Sequence, residues 1–252
     1  MHTTRDTLRQ AFDALLQPER FKDYSPNGLQ VEGKSRIERL VSGVTASQAL
    51  IDAAIAERAD AIFVHHGLFW RGQNGCVTGW MKQRLQRLLV HDINLFAYHL
   101  PLDAHPQWGN NAQLGQRLGW VADAHFGEQD LGCIASAPYD SAQAVAQQLE
   151  QVLGRPTTLV QPPHAQERPV RRVAWCTGGA QSYFEAAIAA GAEVFVTGEI
   201  SEPQAHLARE MGVAFIAAGH HATERYGSPA VAAHVAQAHG FSHVFIDIDN
   251  PA

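Results

Sequence analysis

Long apolar runs, clustered positive charge and paired cysteines are all missing from this chain. No stretch is apolar for the length a bilayer requires, and the opening "MHTTRDTLRQAFDALL" has no secretory core, so a membrane span is not expected and a cytoplasmic setting is. Cys76, Cys133 and Cys176 are widely spaced, odd in number and form no CxxC pair. That excludes a disulfide framework and points to a reducing compartment. Charged residues make up 17% of the chain, fewer than usual, and the formal net charge is −6. The densest basic spots, at 36–39 and 168–172, are short, which argues against a broad nucleic-acid-binding face but not against a local patch. No GxxxxGK[ST] loop is present to cradle a triphosphate.

What the chain does have is histidine, 14 in 252 residues, set within alternating strand and helix patterns. "RLVSGVT" (39–45) reads as a strand, "SQALIDAAIAERA" (47–59) as an amphipathic helix and "DAIFVHH" (60–66) as a strand. "GWMKQRLQRLLVHD" (79–92) follows as a helix and "INLFAYH" (93–99) as a strand. A βαβαβ run predicts a mostly parallel sheet with right-handed crossovers. The pattern then recurs. "SQALIDAAIAERADAIFVHH" (47–66) lies over "AQSYFEAAIAAGAEVFVTGE" (180–199), with Ala53-Ala54-Ile55-Ala56 on Ala186-Ala187-Ile188-Ala189 and His65-His66 on Gly198-Glu199. "LFAYHLPLD" (95–103) lies over "IAAGHHATE" (216–224), so that His99 meets His220 and Asp103 meets Glu224. Two blocks in the same order indicate a diverged internal repeat. The expected fold class is therefore α/β, two related halves with mostly parallel sheets.

The halves are expected at 1–125 and 126–252. A helix at 3–16 and a Pro26-Asn27-Gly28 turn precede the first copy. A strand and a helix capped by Asp140 or Ser141 and ended by Gly154 precede the second, with a proline-rich loop at 161–169 between them.

Chemistry-bearing residues collect at the strand ends. His65 and His66 close one strand, Asp103 lies just past another, and His220 and Glu224 follow "VAFIAAG". Ligands of open α/β sheets gather outside the carboxyl ends of parallel strands, so these five are candidates for one cluster. Three imidazoles and two carboxylates without a thiolate suit Zn, Fe, Mn, Co or Ni, and five donors are enough for two divalent ions if one carboxylate bridges. Each also has a plainer reading: the doublet as solvated turn histidines, Asp103 as a cap, His220 and His221 as core or surface residues, Glu224 as a carboxylate on a solvated face. His99 reads as an orienting group rather than a ligand. His105, His125, His164, His234, His239 and His243 are scattered background. Gly178-Gly179, between a strand and a helix, could offer amides to an anion, although simple strand–helix packing is the favoured reading.

"SPNGLQVEG", "VHHGLFW", "AYHLPLDAH", "GNNAQL", "TGEISE", "AAGHHATERYG" and the closing "FIDIDNPA" resemble the YbgI-like dinuclear-metal family, whose members are labelled GTP cyclohydrolase I type 2 homologues. The resemblance spans nearly the whole chain. It implies two related α/β halves assembled as a homo-oligomer, a toroidal hexamer with metal sites facing its interior. It implies His65, His66, Asp103, His220 and Glu224 as ligands of two metal ions, with His66 and Asp103 on one ion, His65 and His220 on the other, and Glu224 on both. The label names a reaction, water attack on the guanine ring of GTP with formate release. A contrasting expectation is a ring-shaped binding protein that holds a partner such as nucleic acid, in DNA repair, without turnover.

Overall fold

The computed structural model describes residues 2–162 and 168–252. His164 and the middle of the proline-rich loop expected at 161–169 lie outside the described residues. The chain forms two compact units, Met1–Gly109 with Arg225–Asp249, and Asn110–Glu224 with Asn250–Ala252.

The first unit opens with β1 (Thr3–Thr4) and α1 (Arg5–Leu16), where the Thr4 hydroxyl accepts the Thr7 amide as an N-cap. Leu8, Phe12 and Leu16 recur every four residues and form the buried stripe of α1. β2 (Gly28–Val31) and β3 (Arg36–Ile37) follow, and then the expected alternation: β4 (Arg39–Thr45), α2 (Gln48–Ala56), β5 (Ala61–His66), α3 (Gly79–Val90), β6 (Asn94–Ala97) and the short α4 (Leu100–Ala104). In β5 the side chains alternate between two cores. Ala61 and Phe63 pack with Leu8, Phe12, Phe96 and Tyr98, whereas Ile62 and Val64 pack with Val41, Leu50, Ile51 and Leu95. A strand covered on both faces explains the unbroken apolar run before the histidines.

The second unit contains α5 (Asn110–Leu118), β7 (Ala124–Phe126), β8 (Gly132–Tyr139), α6 (Ala142–Leu153) and β9 (Thr158–Val160). Ser141 caps α6 and Gly154 ends it with φ +70°. A second alternation runs β10 (Val170–Trp175), α7 (Phe184–Ala189), β11 (Val194–Thr197), α8 (Glu202–Met211), β12 (Ala214–Ala217) and α9 (His220–Glu224). Its strands lie in the order β7-β8-β10-β11-β12-β9, with β10, β11 and β12 parallel and the others antiparallel. Phe184, Phe195 and Phe215 pack ring against ring beneath it.

The chain then returns to the first unit as α10 (Gly227–His239) and β13 (Ser242–Phe245). β13 adds parallel to β4 and gives the order β13-β4-β5-β6-β2, in which only β2 runs antiparallel. Val231, Ala232, Val235 and Ala236 of α10 join the core built on Phe12 and Phe63. The boundaries thus differ from the expected 1–125 and 126–252: residues 225–249 complete the first sheet, because its β4 edge and apolar face are covered by this segment.

Both copies share parallel strands in matching order, which bears out the repeat. The register adjusts its detail. Val64 pairs with Ala97 and Thr197 with Ala217. With Val64 set on Thr197, Ala97 falls on Ala217, so His220 corresponds to Leu100 and Glu224 to Ala104 rather than to Asp103.

Candidate metal centre

In the first unit the donors sit where β5 and β6 end. His65 is fully buried, and its Nδ1 lies 3.2 Å from the Tyr98 carbonyl oxygen. A carbonyl only accepts, so Nδ1 carries the proton of that contact. His65 Nε2 is 3.5 Å from Asp103 Oδ1. This groups Asp103 with His65, whereas the expected grouping was with His66. Asp103 is delivered by α4, whose first turn hangs from the His99 carbonyl through the amides of Leu102 and Asp103. His66 stands opposite Thr45 in the ladder, and its Nδ1 is 3.1 Å from the Thr45 hydroxyl.

His99 stands beside this group. Each of His65, His66 and His99 offers a ring nitrogen, and the three atoms lie within 4.8 Å of one another. His99 Nδ1 is 2.9 Å from Asp23 Oδ1, and the Asp23 carboxylate also accepts the Leu100 amide and the Asn27 side chain. Burial works to raise the Asp23 pKa, but the hydrogen bond and charge of His99, with the Asn27 and Leu100 donors, hold it well below the usual carboxylate range. Asp23 had no signal of its own in the sequence; only the loop motif next to it was recognisable.

In the second unit α9 presents its donors one turn apart. His220 Nε2 is 3.2 Å from Glu224 Oε2, and His220 Nδ1 is 2.6 Å from Glu199 Oε1. Burial of His220 lowers its pKa, yet the two carboxylates outweigh it and raise it to about 9. Two glycines make this seat. A Cβ on Gly178, whose φ is +73°, would lie 1.9 Å from Glu224 Oε1, and one on Gly198 would lie 2.5 Å from the His220 Cα. The Gly178 amide donates to Thr223 Oγ1, and its carbonyl accepts from the Gly198 amide and the Thr197 hydroxyl. Gly178 is therefore occupied in packing against the donor helix, as favoured over an anion-binding turn. Glu199 falls beneath His66 in the repeat, a signal that could have marked it as part of the site.

The scattered histidines serve elsewhere. His105 Nδ1 accepts the Gln107 and Trp108 amides, His234 stacks on Trp108, and His243 pairs with the Ser42 hydroxyl. The remaining donors are imidazole and carboxylate, several held by hydrogen bonds to their outer atoms. Such a set fits a divalent ion of the nitrogen- and oxygen-loving kind.

The chain matches the Duf34/NIF3 (NGG1p interacting factor 3) family over residues 3–251. It belongs to that family. A relative from Neisseria meningitidis, named GTP cyclohydrolase 1 type 2 homolog, is 52% identical over 240 residues, covering 94% of each chain. The relative of the same name from Pseudomonas aeruginosa is 49% identical and covers 98% of each. Among solved structures, protein ybgI is 44% identical with a TM-score of 0.93, covering 99% of this chain and all of the other. The protein TTHA1606 from Thermus thermophilus is 35% identical with a TM-score of 0.90 at the same coverage. The resemblance in the motifs is thus borne out as family membership. Among the described residues no helix of this Duf34/NIF3 chain is long and apolar enough to cross a membrane.

Proposed function

We propose that this chain binds two divalent metal ions through His65, His66, Asp103, His220 and Glu224 and uses them to hydrolyse a nucleotide-type substrate. One observation carries the reading: an imidazole stands beside a carboxylate in each unit, His65 Nε2 3.5 Å from Asp103 Oδ1 and His220 Nε2 3.2 Å from Glu224 Oε2. The Nδ1 of His65, His66 and His220 meets an oxygen of Tyr98, Thr45 and Glu199 respectively. Histidines oriented from behind in this way present their other nitrogen ready to ligate.

On this reading His65 and Asp103, 3.5 Å apart, would hold one ion, His66 and His220 the other, and Glu224 both. When bound, two such ions supply an activated water and polarise the atom under attack. The protein's own part is to hold the donors fixed. Tyr98 and Thr45 set the rings of the doublet, Glu199 sets His220, and Gly178 leaves room for the Glu224 carboxylate. The names of the relatives point to the ring of a guanine nucleotide as the substrate. Assembly as a cytoplasmic homo-oligomer, a toroidal hexamer, belongs to the same proposal and is checked by sedimentation.

Protein loaded with Zn, Fe, Mn, Co or Ni and incubated with GTP tests the reaction. Formate release within minutes, lost in His66→Ala, is the expected result. Salt-sensitive retention of single-stranded DNA with no release of formate would replace the hydrolase by a binding protein.

A further inference from the structure

Beside the histidine doublet, within the first unit, lies a group of aromatic rings that the metal donors do not account for. Tyr24 and Trp70 stand with ring centroids 5.7 Å apart and planes tilted by 36°. Both meet His99 near edge-on, at 4.9 Å and 69° for Tyr24 and 5.1 Å and 83° for Trp70. Trp70 also lies 5.8 Å from the His66 ring, so the series leads from a candidate ligand outward. At its outer end Tyr24 is 52% exposed, although an aromatic ring is ordinarily most stable when covered.

The pair is fixed in place. The Arg71 amide donates to the Tyr24 carbonyl at 2.7 Å, the Arg71 guanidinium to the Asp23 carbonyl at 2.8 Å, and the Ser25 hydroxyl to the Phe69 carbonyl at 3.1 Å. These bonds lace the loop around residue 24 to the loop around residue 70. His99, which both rings touch, is held by Asp23 through its side chain and by Asn27 through its amide at 2.7 Å. Rings ordered in advance lose little freedom when a ligand arrives, which favours binding.

We propose that Tyr24 and Trp70 form a stacking subsite for a planar heteroaromatic ring of the purine type, and that this subsite sets the substrate ring beside His66. Aromatic faces bind flat nitrogen heterocycles largely through stacking, and two adjoining rings 5.7 Å apart form a platform on which such a ring can lie. The inference deepens the hydrolase reading and rests on it for the role of the bound ring.

Binding is measured without turnover, by tryptophan fluorescence on metal-loaded protein titrated with guanosine, with ribose 5-phosphate as the ringless control. Guanosine should quench the fluorescence and ribose 5-phosphate should not. Tyr24→Ala and Trp70→Ala should each weaken guanosine binding about tenfold. Tyr24→Phe should bind as the wild type does, and Tyr24→Leu, which keeps apolar bulk without a ring, should behave as the Ala variant. Bound metal and melting temperature, measured alongside, separate loss of stacking from loss of fold. Unchanged guanosine affinity in the Ala and Leu variants, or no guanosine binding by the wild type, would overturn the subsite. If guanosine binds as described but GTP releases no formate, the hydrolase reading fails and the subsite stands. If formate is released with the same KM in both Ala variants, the subsite fails and the hydrolase reading stands.

Discussion

The two units use one scaffold but place their donors one strand apart. In the first, the second strand of the repeat ends in His65-His66, and the helix after the third strand adds only Asp103. In the second, the corresponding strand ends in Gly198-Glu199, and the helix after the third strand carries His220 and Glu224. The exchange has a steric cause. Any side chain at Gly198 would collide with the backbone of His220, so the position that His65 holds in the first unit carries no donor in the second. The orienting groups differ as well: a carbonyl and a hydroxyl behind the histidines of the first unit, a carboxylate behind His220 of the second. A duplicated fold thus fixes where donors can stand, and small residues decide which of those positions is used.

Gly178 tests the steric half of that comparison and should show the largest effect. Gly178→Ala places a methyl group in the space of the Glu224 carboxylate and also strains a left-handed backbone. Gly191, at φ +86° with open space around its Cβ position, isolates the strain alone. Gly191→Ala should cost about 1–2 kcal/mol of stability and keep wild-type metal content, whereas Gly178→Ala should lose metal. Denaturant titration with elemental analysis reads both. Equal metal content in the two variants would show that Glu224 does not need the space.

The orienting half is sharpened by Glu199. Glu199→Gln keeps an acceptor near His220 Nδ1 but removes the charge, and metal affinity should fall about 10- to 100-fold. Competition with a chelator of known affinity measures it. Affinity as in the wild type would make Glu199 a surface partner only.

The smallest effect lies in the part of the first sheet supplied by the returning chain. Burial lowers the His243 pKa to about 4, with its Nε2 2.8 Å from the Ser42 hydroxyl. The ordinary value is about 6.5, so the unfolded chain takes up the proton first as pH falls. His243 should therefore contribute fully above about pH 6.5 and lose that contribution as pH falls toward 4. The urea midpoint of the wild type should drop more between pH 7 and pH 5 than that of His243→Gln. Parallel drops would contradict the assignment.

Much of this was legible in the sequence because it is local. Helix and strand periods located the two alternations, and residues just past apolar runs marked the strand ends on which donors stand. What escaped depends on pairing between distant segments. "SHVF" has no feature that assigns it to β4 rather than to a neighbour in its own half, so the return of residues 225–249 was not readable. Matching His99 to His220 as letters shifts the register by one residue, because the ladders pair by backbone and set Ala97 on Ala217. Whether Asp103 approaches His65 or His66 depends on how α4 leaves β6, and Asp23 reaches His99 across 76 residues of chain. Neither leaves a mark in a local pattern.

The central claim is that these donors hold two ions and that Glu224 serves both. Equilibrium dialysis followed by elemental analysis of the wild type, Glu224→Gln and Asp103→Asn tests it most directly. Glutamine keeps the shape of Glu224 but offers one neutral oxygen and an amide nitrogen that cannot ligate. The account predicts two ions per wild-type chain, loss of both in Glu224→Gln, and weakening of chiefly one in Asp103→Asn. Two ions per chain at wild-type affinity in Glu224→Gln would contradict it.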